Sequence, residues 1–384
     1  MTRQPLEVAK PNVDGLLADT SIQILLCCGS GGVGKTTTSA ALALRAAEVH
    51  GRKVAVLTID PARRLAQSLG LTELDNVPRA VAGVDTTSGG SLDAMMLDMK
   101  RTFDDVVEAH ASPEKAEQIL NNRFYQALST SFSGTQEYMA MEKLGQLHEE
   151  ARTEGRWDLI VVDTPPSRSA LDFLDAPERL SDLLDGKMLR LLLAPAKGPF
   201  KLMSMGVSVV MSAMSKVLGA GMLKDVQTFV AAFETLFGGF RQRAEATFRN
   251  LSSPHTQFVV VATPTRDALR EASFFIDRLR EERMPLRGVA LNQVHRSTLD
   301  VSAARATALV EELAAASDEE HRLERLALER HAQRMQTVER EQDLIEKFKL
   351  SNPQIPMAEV PALAEDVSEL SSLRQIGALL AEQE

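Results

Sequence analysis

The segment of this sequence with the clearest chemistry is CCGSGGVGKTTT at positions 27–38. Gly29, four further residues and Gly34-Lys35-Thr36 match the pattern of a phosphate-binding loop. Backbone N–H groups of such a loop surround a pyrophosphate, its lysine contacts the terminal phosphates and its threonine hydroxyl binds Mg²⁺. We therefore predict a site for a nucleoside triphosphate and Mg²⁺; a glycine-rich turn that binds nothing is the alternative. The predicted nucleotide contacts are Gly29, Ser30, Gly31, Gly32, Val33, Gly34, Lys35, Thr36 and Thr37.

Two aspartates follow apolar runs and are candidates for catalysis. Asp163 ends the run WDLIVVD and, with Thr36, is predicted to hold Mg²⁺ directly or through a water molecule. Asp60 ends KVAVLTID and is predicted to position and activate the water that attacks the γ-phosphate, while Lys35 contacts the phosphates. Helix capping is the alternative role for each aspartate. It is strongest for Asp60, because Asp followed by Pro61 is a favourable helix start.

Short apolar runs must form the strands that position these residues. The runs alternate with helical patterns, and fully apolar strands between helices are typical of a parallel sheet covered on both faces. The predicted fold class is therefore α/β: a P-loop NTPase fold with a doubly wound, mainly parallel sheet, in a single domain over residues 1–384. The predicted strands are residues 22–28, 53–59, 158–163, 257–263, 288–293 and 356–361.

Three long stretches outside these runs have helical patterns. Two of these stretches, at about residues 100–155 and 175–250, lie between recognisable strands and are longer than a simple crossover connection requires. We predict that they form a helical insertion subdomain beside the sheet. Residues of about 303–349 are rich in Ala, Leu, Glu and Arg and contain no proline. This pattern predicts a long charged helix or a helix pair that ends at Asn352-Pro353.

Three motifs together resemble those of the ArsA-type ATPases. They are GSGGVGKTT at 29–37, TIDPARRLAQSLG at 58–70 and DTPPSRSALDFL at 163–174, in the order and at the spacing of that family. The family includes the arsenite-pump ATPase and the cytosolic ATPase that escorts tail-anchored membrane proteins. The resemblance implies a Mg²⁺-dependent ATPase that works as a dimer with ATP at the interface. It also implies that Asn292, in GVALNQV, reads adenine and that Pro361 lies near the base.

The sequence departs from the family pattern in the loop and in the third motif. Ser30 stands where the family has a signature lysine that reaches the partner subunit's ATP, and Arg168 and Ser169 replace its glycine and histidine. A homodimer would lack this cation at both sites, which favours a heterodimer with a lysine-bearing, ArsA-like paralogue over a homodimer of low activity. Arg63, Arg64 or Arg168 as a substitute cation is a third interpretation, although a solvated helix surface is the simpler one for each.

Residues 186–240 form a methionine-rich segment for which the sequence leaves several roles open. Six methionines lie between Met188 and Met222, and methionine is common on surfaces that accept varied apolar partners. By resemblance, this segment is the candidate groove for a client protein or a membrane helix. The alternatives are that its apolar stripe is the core of the helical subdomain, or that it makes reversible membrane contact.

Composition limits the remaining function classes. The net charge of −10 argues against nucleic acid as the main partner, since phosphate backbones require a basic face. The two cysteines, Cys27 and Cys28, are adjacent on a strand and would point to opposite faces, so we expect no disulfide between them. The family's metalloid-binding and zinc-binding cysteines are absent, so we expect neither arsenite nor a zinc-stapled homodimer.

The expected location is the cytoplasm, with peripheral membrane contact as an extension of it. The first residues lack the apolar core of a signal peptide. The longest uncharged apolar run in the methionine-rich segment, residues 202–215, is shorter than the roughly 20 residues that span a bilayer.

Two functions are consistent with these residues. The first is an ArsA-type, Mg²⁺-dependent ATPase in which hydrolysis opens and closes a dimer and so controls the binding of a client or partner protein. The second is a weakly catalytic, ATP-binding regulatory or scaffold subunit of a heterodimer. Lys35, Thr36, Asp60 and Asp163 favour the first function, and Ser30 favours the second.

Overall fold

The computed structural model describes residues 12–60, 64–123, 125–126, 129, 135–165, 239, 242–316, 321–363, 367 and 369–382. Its strands are β1 (Ile24–Cys28), β2 (Lys53–Thr58), β3 (Arg79–Ala80), β4 (Ser91–Met96), β5 (Leu159–Asp163), β6 (Thr256–Ala262), β7 (Leu286–Val294) and β8 (Met357–Pro361). They form one sheet in the order β3-β4-β2-β5-β1-β6-β7-β8. All neighbours are parallel except the pair β3 and β4. The predicted α/β fold with a mainly parallel sheet is confirmed.

The strands that the apolar runs predict are all present, and two further strands extend the sheet. β4 continues the sheet beyond β2, and β3 pairs with its outer edge. The run that forms β4 is interrupted by Asp93, which weakens its signal in the sequence. In the fold, the Asp93 carboxylate accepts a hydrogen bond of 2.9 Å from Nε1 of Trp157. Asp93 can therefore lie within a strand because Trp157, which is distant in the sequence, donates a hydrogen bond to it.

Helices cover both faces of the sheet. They are α1 (Val13–Ala18), α2 (Lys35–Glu48), α3 (Arg64–Ser68), α4 (Met99–His110), α5 (Pro113–Leu120), α6 (Thr135–Glu154), α7 (Arg266–Glu281), α8 (Ala303–Ala316), α9 (Arg322–Ser351) and α10 (Leu370–Ala381), with residues 242–251 also helical. One core packs α1, α2, α3 and α10 against the sheet. The other packs α4, α5, α6, most of α7 and the end of α9 against the opposite face.

The central strand β1 shows how the two cores share one sheet. Ile24, Leu26 and Cys28 belong to one core, and Leu25 and Cys27 belong to the other, as the alternation of side chains along a strand requires. Both cysteines are free and buried, and burial raises the pKa of each thiol to about 12. They are therefore protonated core residues at neutral pH, and the expectation that they form no disulfide is met.

The stretch 303–349 consists of the two helices α8 and α9, which pack against each other. Val338, Ile345 and Phe348 are buried on α9, and the helix ends at Asn352, whose side chain donates to the Phe348 carbonyl. Helices α4, α5 and α6 occupy most of residues 100–155. Apart from residues 239 and 242–250, the insertion predicted at about 175–250 lies outside the described residues, and so does almost all of the methionine-rich segment. None of the helices in the described ranges has the length and apolar character needed to cross a membrane.

Candidate functional site

The glycine-rich loop runs from the end of β1 to the start of α2. Gly29 (φ 153°) and Gly34 (φ 91°) adopt backbone conformations that other residues rarely take, and a Cβ on Gly34 would collide with Nδ2 of Asn292. Gly34 is also the N-cap of α2 and provides no side-chain cap. The first N–H groups of this helix therefore remain available to an anion, which the helix dipole also favours.

Lys35 is a buried cation at the start of α2. Its Nζ donates a hydrogen bond of 2.8 Å to the backbone carbonyl of Ser30, within the loop itself. Burial lowers the pKa of Lys35, and the negative charges of Asp163 and Asp60 oppose this effect. A cation at a helix N-terminus is also opposed by the helix dipole. A phosphate in the loop would supply the counter-charge that the position lacks.

Asp163 lies at the end of β5, next to the loop, and its side chain is fully buried. Oδ2 accepts hydrogen bonds from Oγ1 of Thr36 (2.7 Å) and Oγ1 of Thr58 (2.9 Å). Burial raises the pKa of Asp163 to about 6, while the two hydroxyl groups and the charge of Lys35 favour the ionised form. Oδ1 is buried without a hydrogen-bond partner among the described residues.

This pair of side chains fits a magnesium ion. Carboxylate and hydroxyl oxygens are ligand types that Mg²⁺ prefers. Oδ1 is in addition a buried acceptor without a hydrogen-bond partner among the described residues, and buried polar atoms are rarely left unpaired. The predicted metal ligands Thr36 and Asp163 are therefore adjacent. Thr58 was not predicted from the sequence. Its only signal in the sequence is its place at the end of the apolar run KVAVLT, two residues before Asp60.

Asp60 follows β2 and is half-buried at the same edge of the sheet. Its backbone N–H donates to Oγ1 of Thr58 at 3.2 Å, and its charge acts on both Lys35 and Asp163. The three predicted catalytic residues therefore lie close together. Residues 61–63, which would show whether Asp60 caps a helix, lie outside the described residues.

A cleft of about 1020 Å³ opens beside the loop. Asn292 lies between this cleft and the loop, where its Nδ2 donates a hydrogen bond of 2.9 Å to the Val33 carbonyl. Pro361 also lines this cleft, so the two residues implied to contact the base lie in one cleft. Further lining residues that sequence reasoning missed are Gln67, Ser68, Gln293, His295, Val360, Val367 and Ile376. They come from elements far apart in the chain, and no local motif connects them.

Of the candidate substitute cations, Arg64 is the one within the described residues. It is exposed at the start of α3, lines the cleft, and its charge acts on Lys35. Arg63, Arg168 and Ser169 lie outside the described residues. Ser30 is buried in the loop. No second cationic side chain from the loop itself reaches this site, because the loop holds only one lysine.

The glycine-rich loop joins a central parallel strand to a helix. An aspartate at the end of the neighbouring strand accepts a hydrogen bond from the threonine of this loop. Together these features define a P-loop nucleotide-binding protein. The model of the anion-transporting ATPase (ArsA ATPase) family matches residues 22–308, and the chain belongs to this family of P-loop ATP hydrolases.

Relatives within the family carry ATPase names. The chain is similar to the ATPase GET3 of Lachancea thermotolerans, with 30% identity over 46% of this chain and 51% of that protein. It is 27% identical to the ATPase GET3C of Arabidopsis thaliana over 69% of this chain and 65% of the relative. With the ATPase ARSA1 of Chlamydomonas reinhardtii the identity is 26%, over 76% of this chain and 38% of the relative. The chain spans about half the length of the GET3 relatives that it matches.

Proposed function

We propose that this chain binds and hydrolyses Mg²⁺-ATP, and that hydrolysis opens and closes a dimer that controls the binding of a client or partner protein. The observation that carries the proposal is the buried Asp163, with one carboxylate oxygen bonded to Thr36 and the other without a partner among the described residues. Such an orphaned acceptor beside a buried lysine is costly in a purely structural role. It is expected where a metal and phosphates bind.

Each residue of the site has a distinct role in this proposal. Lys35 and the loop N–H groups bind the phosphates, and Thr36 with Asp163 would hold Mg²⁺. The metal, when bound, neutralises charge on the phosphate oxygens. Asp60 orients the attacking water and accepts its proton. Asn292 and Pro361 contact the base in the cleft.

The role of Asp60 is tested by the substitution Asp60→Asn. The amide preserves size and leaves the backbone N–H bond to Thr58 in place, so Mg²⁺-ATP binding is expected to persist. Turnover should fall by roughly 10²-fold or more, because a general base contributes about that much. Single-turnover hydrolysis and calorimetric binding measure the two effects separately. Asp300→Asn, at an exposed position, is the control. Hydrolysis at the wild-type rate by Asp60→Asn would rule out the proposed base.

A second function is favoured by one feature, the absence of a lysine at position 30. In this alternative the chain binds ATP but is a weakly catalytic regulatory subunit, and a lysine-bearing paralogue completes its site. The methionine-rich segment remains the proposed contact for a client protein or membrane helix in both functions. Almost all of its residues lie outside the described ones, so its chemistry alone supports this assignment.

A further inference from the structure

Strand β7 contains a bulge next to the proposed base site. The pairing of β7 with β8 shifts register between Leu291 and Val294. Gln293, between them, has φ 58°, a left-handed conformation that residues other than glycine rarely adopt. Leu291 and Val294 belong to the same core although they are three residues apart, which shows that the bulge adds one residue to the strand.

Asn292 lies immediately before the bulge. Strand alternation places it on the same face as Ala290, and its side chain lies against the phosphate loop. Because the Val33 carbonyl only accepts hydrogen bonds, the Asn292 atom that faces it must be the amide nitrogen. The carboxamide oxygen is then the atom left to accept a hydrogen bond from a base. An exocyclic amino group such as that of adenine can donate to it, whereas the O6 atom of guanine cannot.

A left-handed glutamine requires support from its surroundings, and Glu341 of α9 supplies it just after the bulge. Oε2 of Glu341 accepts a hydrogen bond of 2.9 Å from the backbone N–H of His295, and Oε1 lies 2.8 Å from the His295 Nδ1. Glu341 is buried, although it lies on a largely charged and exposed helix. The backbone N–H of Ala362 in turn donates to the Val294 carbonyl at 3.0 Å.

The same helix also contacts β8, the strand next to β7 that lines the cleft. Nζ of Lys349 lies 2.8 Å from Oε1 of Glu359 on β8, two residues before Pro361. The Arg334 guanidinium donates two hydrogen bonds, of 2.8 and 3.1 Å, to the Arg296 carbonyl. Helix α9 therefore fixes both segments that line the base end of the cleft, and Glu341 is its contact nearest to Asn292 along the chain.

We infer that Glu341 is a positioning residue for base recognition: by holding His295, just after the bulge, it fixes the end of β7 on which Asn292 lies. The inference rests on the proposed nucleotide-binding function and adds a residue that touches neither phosphate nor metal. Loss of the Glu341 carboxylate should weaken recognition of the base and leave recognition of the phosphates intact.

The experiment compares two ligands that share phosphates but differ in the base. Calorimetry is carried out with the magnesium complexes of a non-hydrolysable ATP analogue and of tripolyphosphate, which has no base. For Glu341→Ala we expect affinity for the ATP analogue to fall by up to about tenfold, as the loss of the hydrogen bond between Asn292 and the base predicts, with tripolyphosphate affinity unchanged. The preference for the ATP analogue over the corresponding GTP analogue should fall as well.

Three further variants separate the positioning role of Glu341 from the effect of its charge and from an effect on protein stability. Glu346→Ala removes a carboxylate from an exposed position of the same helix and should leave both affinities unchanged. Glu341→Gln can still accept from the His295 N–H and should restore binding of the ATP analogue. If Glu341→Ala does not fold, Glu341→Asp, which keeps the charge but is too short for both contacts, gives the same comparison.

Two results would count against different conclusions. If Glu341→Ala weakens both ligands equally, or neither of them, the positioning role is wrong. If the folded wild-type chain binds neither ligand, the proposed function itself is wrong.

Discussion

Two buried ionisable side chains, Asp163 and Lys35, define the electrostatics of the site. Burial shifts the pKa of each toward its neutral form: it raises that of Asp163 to about 6 and lowers that of Lys35. Each group partly compensates the other, but neither is fully neutralised within the described residues. Mg²⁺ and phosphate are the ions that would favour both charged forms, so the site in the absence of ligand is held in an electrostatically unfavourable state.

This imbalance predicts an unusual pH dependence for Asp163. Its pKa is raised from 3.8 to about 6 on folding, so its stabilising contribution is present below pH 4 and is lost as the pH rises through 6. Relative to Asp163→Asn, the ligand-free wild-type chain should lose about 2 kcal/mol of unfolding free energy between pH 4 and pH 7. Urea unfolding of both proteins at several pH values measures the difference.

The control for this pH series is Asp300→Asn, at an exposed position. Its stability should run parallel to that of the wild type over the same range. Parallel curves for Asp163→Asn and the wild type would contradict the assigned burial of an ionisable carboxylate.

At the scale of elements, Arg52 joins three segments at the amino end of the sheet. It is almost fully buried, and its guanidinium donates to the carbonyls of Leu17, Asp19 and Ile22 and to Asp158. These contacts connect the end of α1, the entry to β1 and the entry to β5 through the residue that precedes β2. The sequence Gly-Arg-Lys at 51–53 looks like an ordinary exposed turn, and nothing in it indicates a buried arginine.

Arg52→Met should destabilise the fold by roughly 2–4 kcal/mol, because it leaves the buried carbonyls of Leu17 and Ile22 without their donor, whereas the half-exposed Asp158 carboxylate can be solvated. Arg52→Lys should recover only a small part of this loss, since one ammonium cannot replace the planar fork of the guanidinium. The urea midpoint of each variant gives the comparison, with Lys53→Ala as the exposed neighbour control. A change below about 1 kcal/mol for Arg52→Met would mean that the segments are held by other contacts.

At the scale of the whole molecule, the order of the strands brings the site together. β1 lies between β5 and β6, so the loop after β1 is next to Asp163 at the end of β5. Asp60 follows β2, which lies on the other side of β5. β7 and β8, which lie beyond β6, line the cleft beside the loop. All of these contributions come from the carboxyl ends of parallel strands, where open α/β sheets bind their ligands. In the heterodimer that we propose as the alternative, a lysine-bearing partner subunit would add the cation that position 30 lacks.

The missing cation predicts slow hydrolysis by the isolated chain. Ser30→Lys should raise kcat by at least about tenfold if two copies of the chain associate, because a cation supplied across an interface is worth roughly 10³–10⁵ in favourable geometry. Steady-state phosphate release, together with light scattering to establish the oligomeric state, tests this expectation. Ser30→Ala serves as the matched control and should not accelerate turnover. Rapid turnover by the unmodified chain alone would remove the need for a lysine donor.

The sequence by itself determined the features that depend on neighbouring residues. The phosphate loop, the six strand-forming runs and the two aspartates at strand ends are all local patterns, because side-chain periodicity and glycine spacing act over a few residues. For this reason Lys35, Thr36 and Asp163 were predicted, and the structure places them together.

Only the tertiary structure decided the contacts between distant segments. Thr58 reaches Asp163 across 105 positions, Glu341 reaches His295 across 46, and Arg52 reaches Asp158 across 106. Such pairings depend on strand order, on register and on a bulge at Gln293, none of which has a compositional signature. These contacts become strong because burial removes competing water from the partners. Residues that look like surface positions in the sequence can therefore be buried and paired in the fold.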